Sequence, residues 1–145
     1  MITNLFSAGG LIVARLQDFL TIPSRNIREA PTLEWAAENV IDPSIAVIFF
    51  DDQPDAGKGG NWVGINNQTS NQLWLVVASV KNVSTANAAA KQSVGSLSVE
   101  ILHALNDFQL SPDHAELIRV RCPFRHTENN GYAHIPFLFS TTITI

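Results

Sequence analysis

Two apolar runs, "SIAVIFF" at 44–50 and "QLWLVVASV" at 72–80, constrain this chain more than any other feature. Both are rich in β-branched and aromatic residues, and both are apolar at odd and even positions alike. A strand with one wet face alternates, whereas a strand apolar on both sides has to be covered on both. The pair therefore predicts two central strands of a sheet with other elements packed above and below. The residues between them are rich in Gly, Asn, Asp and Gln. They predict a long hairpin arm over 51–70, its ladder extending around "NWVGI" before the turn.

The flanking segments supply what covers such a sheet. Leu5, Ile12, Leu16 and Phe19 recur at helical spacing until Pro23 ends the pattern. "SRNIREAP" predicts a short edge strand, and "TLEWAAENV" a short helix capped by Thr32. A long helix follows from a cap at Ser84 or Thr85, with Val94, Leu97, Ile101, Leu105 and Phe108 on one stripe and "SPD" at 111–113 ending it. Ala89, Ser93 and Ser96 lie in its small-residue first half, which predicts close approach to a sheet or a neighbouring subunit. "ELIRVRCPF" and "GYAHIPFLFSTTITI" give two more strands around the turn "RHTENNG". In the last one Ile135, Phe137, Phe139, Ile143 and Ile145 form the core face. Pro136, lacking a ladder donor, predicts an edge position or a bulge. The sum is one α+β domain over residues 1–145: a mostly antiparallel β-sheet packed against helices, with a long β-hairpin arm.

Charge and cysteine usage exclude several functions. The net charge is -4 and the nine Lys and Arg residues look scattered. A surface that grips nucleic acid needs them clustered. Only 15% of residues are charged, low for a freely soluble monomer, so some surface is expected to meet partners. A lone cysteine, Cys122, forms no intrachain disulfide and fits a reducing compartment as a buried thiol. Arg15 and Asp18 interrupt the apolar N-terminal stretch, which predicts neither a signal peptide nor a membrane span, and hence synthesis in the cytoplasm.

"DDQPDAGKGGNWVG" at 51–64 sets a lysine among glycines directly after an apolar strand, as a phosphate-binding loop does. Such a loop needs a glycine five residues before Gly-Lys, a Ser or Thr after it, and a helix behind the phosphate. Here Asp52 stands in place of the glycine, Gly59 follows Lys58, and no helical pattern follows. Asp51, Asp52 and Asp55 would repel a phosphate, and they lack the order of a calcium loop. His103, His114, His126 and His134 show no metal-ligand spacing, and His103 is expected to be packed or capping. No Gly-x-Ser-x-Gly elbow occurs, and no metal or cofactor is expected. Trp62 admits two readings: a hairpin side chain folded back on the sheet, or an anchor inserted into a neighbour.

The order "LIVARLQDFL", "SIAVIFFDD", a long polar hairpin, "QLWLVVASVKN" running into "TANAAAKQSVGSLSVEILHALNDF", and the closing "YAHIPFLFSTTI" resembles the tail-terminator proteins of long-tailed bacteriophages, including their Mu-like branch. The resemblance spans nearly the whole chain through pattern and order, without a catalytic signature. It implies a non-enzymatic virion protein whose six-membered ring sits on the last ring of the tail tube, stops tube growth and offers a surface to the head connector. Implied partners are further copies of the chain, the tail tube protein, the head connector and, as a further candidate, the sheath protein, with DNA passing through the lumen. Asp51, Asp52, Lys58, Trp62 and Val63 are the candidate interface residues, on an arm expected to be mobile in a monomer. Two alternatives stay open: another head-tail adaptor or completion ring, and a small enzyme with a site assembled from distant residues.

Overall fold

The computed structural model describes residues 2–54, 69–81, 88–129 and 131–144. At its centre β2 (Ser44–Pro54) and β3 (Thr69–Lys81) pair antiparallel from Ser44↔Ser79 to Pro54↔Ser70. These are the two doubly apolar runs, and β3 is buried along nearly its whole length. β6 (Tyr132–Thr144) pairs with all of β3 on its other side. The outer positions are short: β1 (Ile27–Glu29) lies parallel to β2, while β4 (Ile118–Val120) and β5 (Thr127–Asn129) both pair antiparallel with β6. The path is β1-β2-β3-β6-β4, with β5 beside β4 on the same strand.

Helices cover the two faces unequally. α1 (Ser7–Phe19) and α3 (Ala88–Leu105) pack on the face formed by Ile45, Val47, Trp74, Val76, Ala78, Phe137 and Phe139. On the opposite face Ile48, Leu75, Val77 and Leu138 meet α2 (Leu33–Glu38) through Leu33, Trp35 and Ala36, and meet Val120 and Cys122 nearer the β4 side. Thr32 caps α2 as its sequence predicts, its Oγ1 accepting from the Trp35 N–H at 3.1 Å.

The closest helix–sheet approach is at Gly9. A Cβ built there would stand 2.8 Å from Cζ3 and 2.9 Å from Cη2 of Trp74, so the α1 backbone rests directly on the buried indole. Around this contact the Trp74 Nε1–H donates to Gln72 Oε1 at 3.3 Å, and Gln72 Nε2 donates to the Leu5 carbonyl at 2.8 Å. Leu5 thus lies in the turn before α1, not in the helix. Phe6 and Phe49 continue the aromatic series edge to face, with centroids 5.0 Å apart, and Phe49 meets Trp74 at 5.3 Å.

Several sequence expectations shift for physical reasons. Phe19 is 43% exposed instead of buried. Its ring and that of Phe108 sandwich Arg15, whose Nε donates to the Ala104 carbonyl at 2.9 Å, satisfying a C-terminal acceptor of α3. α3 stops at Leu105, before Phe108 and well before "SPD", because Asp107 takes a left-handed conformation (φ 61°) and its N–H turns to the Leu117 carbonyl. Ser93 and Ser96 are exposed, and a Cβ at Gly95 would meet nothing within 4 Å, so these small residues face away from the sheet while Val94 and Leu97 pack into the core. The Ser84/Thr85 cap and the Ala89 side chain lie outside the described residues. His103 is exposed in the last turn of α3, and Cys122 is half-buried beyond the end of β4 instead of inside a strand.

Pro136 sits neither on an edge strand nor at a bulge. The Ala115 N–H donates to the Thr142 carbonyl, so even-numbered residues of β6 aim their backbone groups away from β3. On that side β5 pairs with 132–134 and β4 with 138–140. Pro136 falls in the interval between the two short strands, where no donor is called for.

The Gly9–Trp74 contact yields a direct test. Gly9→Ala should destabilise the fold by about 1–3 kcal/mol through overpacking. Gly10→Ala, whose Cβ would sit 3.5 Å from Glu29 Oε1, should be tolerated or gain up to about 1 kcal/mol from helix propensity. Urea unfolding of the two variants checks the contrast, and equal midpoints would contradict it.

Candidate subunit interface

A β-bulge shapes the end of β2 from which the sequence-predicted arm departs. The register slips between Phe49 and Asp51, making Phe50 the extra residue. Alternation is thereby reset: Asp51 now opposes Leu73 and Asp52 opposes Gln72. Without the bulge, Asp51 would follow Phe49 onto the core face. Asp51 Oδ1 accepts from the Asp52 N–H at 2.9 Å, and Asp51 Oδ2 from Gln53 Nε2 at 3.4 Å. The Ser70 hydroxyl donates to Asp52 Oδ1 across the ladder. The Asp52 carboxylate thus ties the two strands together at the base of the hairpin, while Asp51 is exposed and bonds only within its own strand.

Apolar surface gathers at the same end. Phe50 is 38% and Phe124 41% exposed, and their rings meet edge to face at 5.8 Å. Phe6, 52% exposed, lies against Phe49 on the helix-covered face. These three phenylalanines carry no periodic signal, because each reaches the surface through a bulge, a turn or a loop. Lys58, Trp62 and Val63 lie outside the described residues. Among the described residues, the element that follows β2 is the antiparallel strand β3.

The histidines and hydroxyls elsewhere form local pairs. Ser79 and His134 face each other across β3 and β6, with Oγ···Nδ1 at 2.7 Å, and the His134 ring stacks on Tyr132. This pair borders a cleft of about 230 Å³ beneath α2, also lined by Glu34. His114 is buried, its Nδ1 2.6 Å from the Ser111 hydroxyl and its Nε2 without a partner among the described residues. Burial lowers the pKa of both imidazoles below the usual 6.5. The charge of Asp113 partly opposes the shift at His114, and that of His126 adds to it at His134. Among the described residues no three His, Cys, Asp or Glu side chains gather as metal ligands, and no helix is long and apolar enough to cross a membrane.

The architecture is that of an α+β domain with exposed phenylalanines near one end of the central hairpin. A family model described as phage tail terminator protein matches residues 1–145. Two solved structures share the fold. A chain of the virion of a native gene transfer agent particle aligns with a TM-score of 0.54 and 12% identity over 97% of this chain and 99% of its own. A structure of an extracellular contractile injection system, the PVC sheath/tube terminator in its extended state, aligns with a TM-score of 0.58 and 14% identity over 100% of this chain but 57% of the other. No match to the chain is found among curated protein sequences. The chain belongs to the phage tail terminator family, a family of structural virion proteins and not of enzymes.

The buried His114 and the half-buried His134 predict a stability profile. With folded pKa values below 6.5, the unfolded state binds more protons in the window just beneath that value, so stability is full above about pH 6.5 and falls as pH drops through it. Melting temperatures between pH 7.5 and 5.5 should show this decline, and His114→Gln combined with His134→Gln should flatten it. An unchanged slope in the double variant would contradict the assignment.

Proposed function

We propose that this protein is the ring subunit that closes the head-proximal end of a phage tail tube, stops tube polymerisation there and presents a surface to the head connector. The observation that carries the reading is the family match, which runs from the first residue to the last. The fold is also shared with a terminator of a contractile injection system and with a virion component, across nearly all of this chain in each case. Partners on this reading are other copies of the chain in a hexamer, the tail tube protein, the head connector and, in a contractile tail, the sheath protein. DNA traverses the ring without sequence readout.

Contact between neighbouring subunits is assigned to the β2–β3 connection, where Asp51 and Asp52 stand at the base and Lys58, Trp62 and Val63 lie farther along the sequence. A polar, glycine-rich stretch buries little apolar surface by itself, and it is better satisfied against a neighbour. Contacts of that head-to-tail kind close into rings when the rotation divides evenly.

Native mass spectrometry and capping of purified tail tubes test this. A hexamer of 15.8 kDa subunits has a mass of about 95 kDa. Deleting residues 54–62 and bridging with two glycines should leave a folded subunit and abolish the ring or its attachment to tubes. A monomer at every concentration, in a wild-type protein that also leaves tube length unregulated, would refute the reading. Full rings from the deletion variant would refute the role of the connection.

A further inference from the structure

The chain between β4 and β5 takes a route that the sheet order alone does not require. β6 and β3 separate β4 from β2, yet Phe124, in the segment that follows β4, meets Phe50 of β2 edge to face at 5.8 Å. Three inter-strand spacings come to about 14 Å, within reach of the residue steps from Val120 to Phe124 and two phenyl side chains. On the way, Cys122 packs against the cluster of Ile48, Leu75, Val77 and Leu138, on the face that α2 also covers. Residues 121–126 therefore cross this face over β6 and β3, and the chain then returns to pair with β6 at Thr127, opposite His134.

Little holds the crossing down. Among the described residues, 121–126 make no backbone hydrogen bond to the rest of the fold, whereas β4 before them and β5 after them are both laddered to β6. Cys122 is half-buried and the other residues of the segment are exposed. Pro123 has no N–H to offer and stiffens the middle of the segment. Where Arg121 and Cys122 leave β4, a cleft of about 480 Å³ opens between them and Pro136 and Leu138 of β6. The Phe124 ring is anchored on a residue that is itself 38% exposed. A segment without ladder bonds and with so few buried contacts lies at the low end of local stability, while the strands at its two ends do not.

We infer that residues 121–126 are a strap that opens from the sheet as one piece, hinged at the end of β4 and the start of β5 and latched by Phe124 on Phe50. Opening bares Leu138 with part of its apolar cluster and frees the Cys122 thiol, and it breaks no rung of the sheet. The latch partner is the bulge residue of β2, so the base of the hairpin and the β4–β5 flank are coupled across two strands. A partner that draws Phe50 away releases the strap, and one that covers both rings holds it down.

Cys122 is the one cysteine of the chain, so its reaction with N-ethylmaleimide reports on the strap alone. In the wild-type protein the labelling rate should stay flat as urea rises towards the unfolding transition, because opening the strap exposes little new surface. Phe124→Ala should speed labelling about tenfold, since it removes an aromatic pair together with its burial. Phe50→Ala, changed two strands away, should speed it to a similar degree. The double variant should fall well short of the product of the two single effects, because both remove one shared contact. Circular dichroism checks that each variant is folded; should Phe50→Ala not be, Phe50→Leu takes its place and should give a smaller acceleration in the same direction. A labelling rate that climbs with urea in step with global unfolding would overturn the inference. So would folded variants that label at the wild-type rate, which would make Cys122 accessible with the strap closed.

Discussion

The contact between the Gly9 backbone and the Trp74 indole sets the depth at which α1 lies on the sheet, and much else follows from it. Only a residue without a Cβ lets a helix approach an aromatic face so closely. At that depth Gln72, buried on the same face, spans from the indole N–H to the Leu5 carbonyl, so two polar groups on the edge of the core are satisfied by one side chain. The position of α1 in turn carries Arg15 to the end of α3, where a single guanidinium joins both helices. The packing of the two helices over one sheet face is thus fixed from α1 outward.

The central strands were legible in the sequence because burial on both faces leaves apolar residues at every position. β6 was legible for a related reason: Ile135, Phe137, Phe139 and Ile143 do lie on the core face, Ile145 being outside the described residues, and Leu138 alone on the even face is buried. Its place in the sheet was not. The rule that proline avoids interior strands assumes continuous neighbours, and here the neighbour is broken into β4 and β5 at the very residue that cannot donate. The parallel pairing of β1 rests on three residues, too few for any periodic signal. The end of α3 was misplaced because an aspartate, not a glycine, takes the left-handed position that stops the helix.

Of the interface residues expected from sequence, Asp51 and Asp52 are placed by the structure at the hairpin base, by way of a bulge that no pattern announces. Lys58, Trp62 and Val63 belong to the connection outside the described residues. The basic residues looked scattered, yet Arg119 in β4 and Arg121 just past its end both line one surface cleft with Pro136 and Leu138 of β6. The Ser79–His134 pair teaches the converse. A hydroxyl beside an imidazole suggests chemistry, yet here it arises from two residues directly opposite in the β3–β6 register.

On one flank of the sheet β1 covers only Ile45–Val47, so among the described residues the outer side of β2 from Ile48 to Pro54 has no strand partner. The bulge at Phe50 falls inside this open stretch, where it bends the strand and breaks the even row of donors and acceptors that an added strand would need. For a subunit of this family the consequence bears on growth itself. A part whose task is to end a filament must not act as a template for the next layer, and the bulge spoils the template where the border is open.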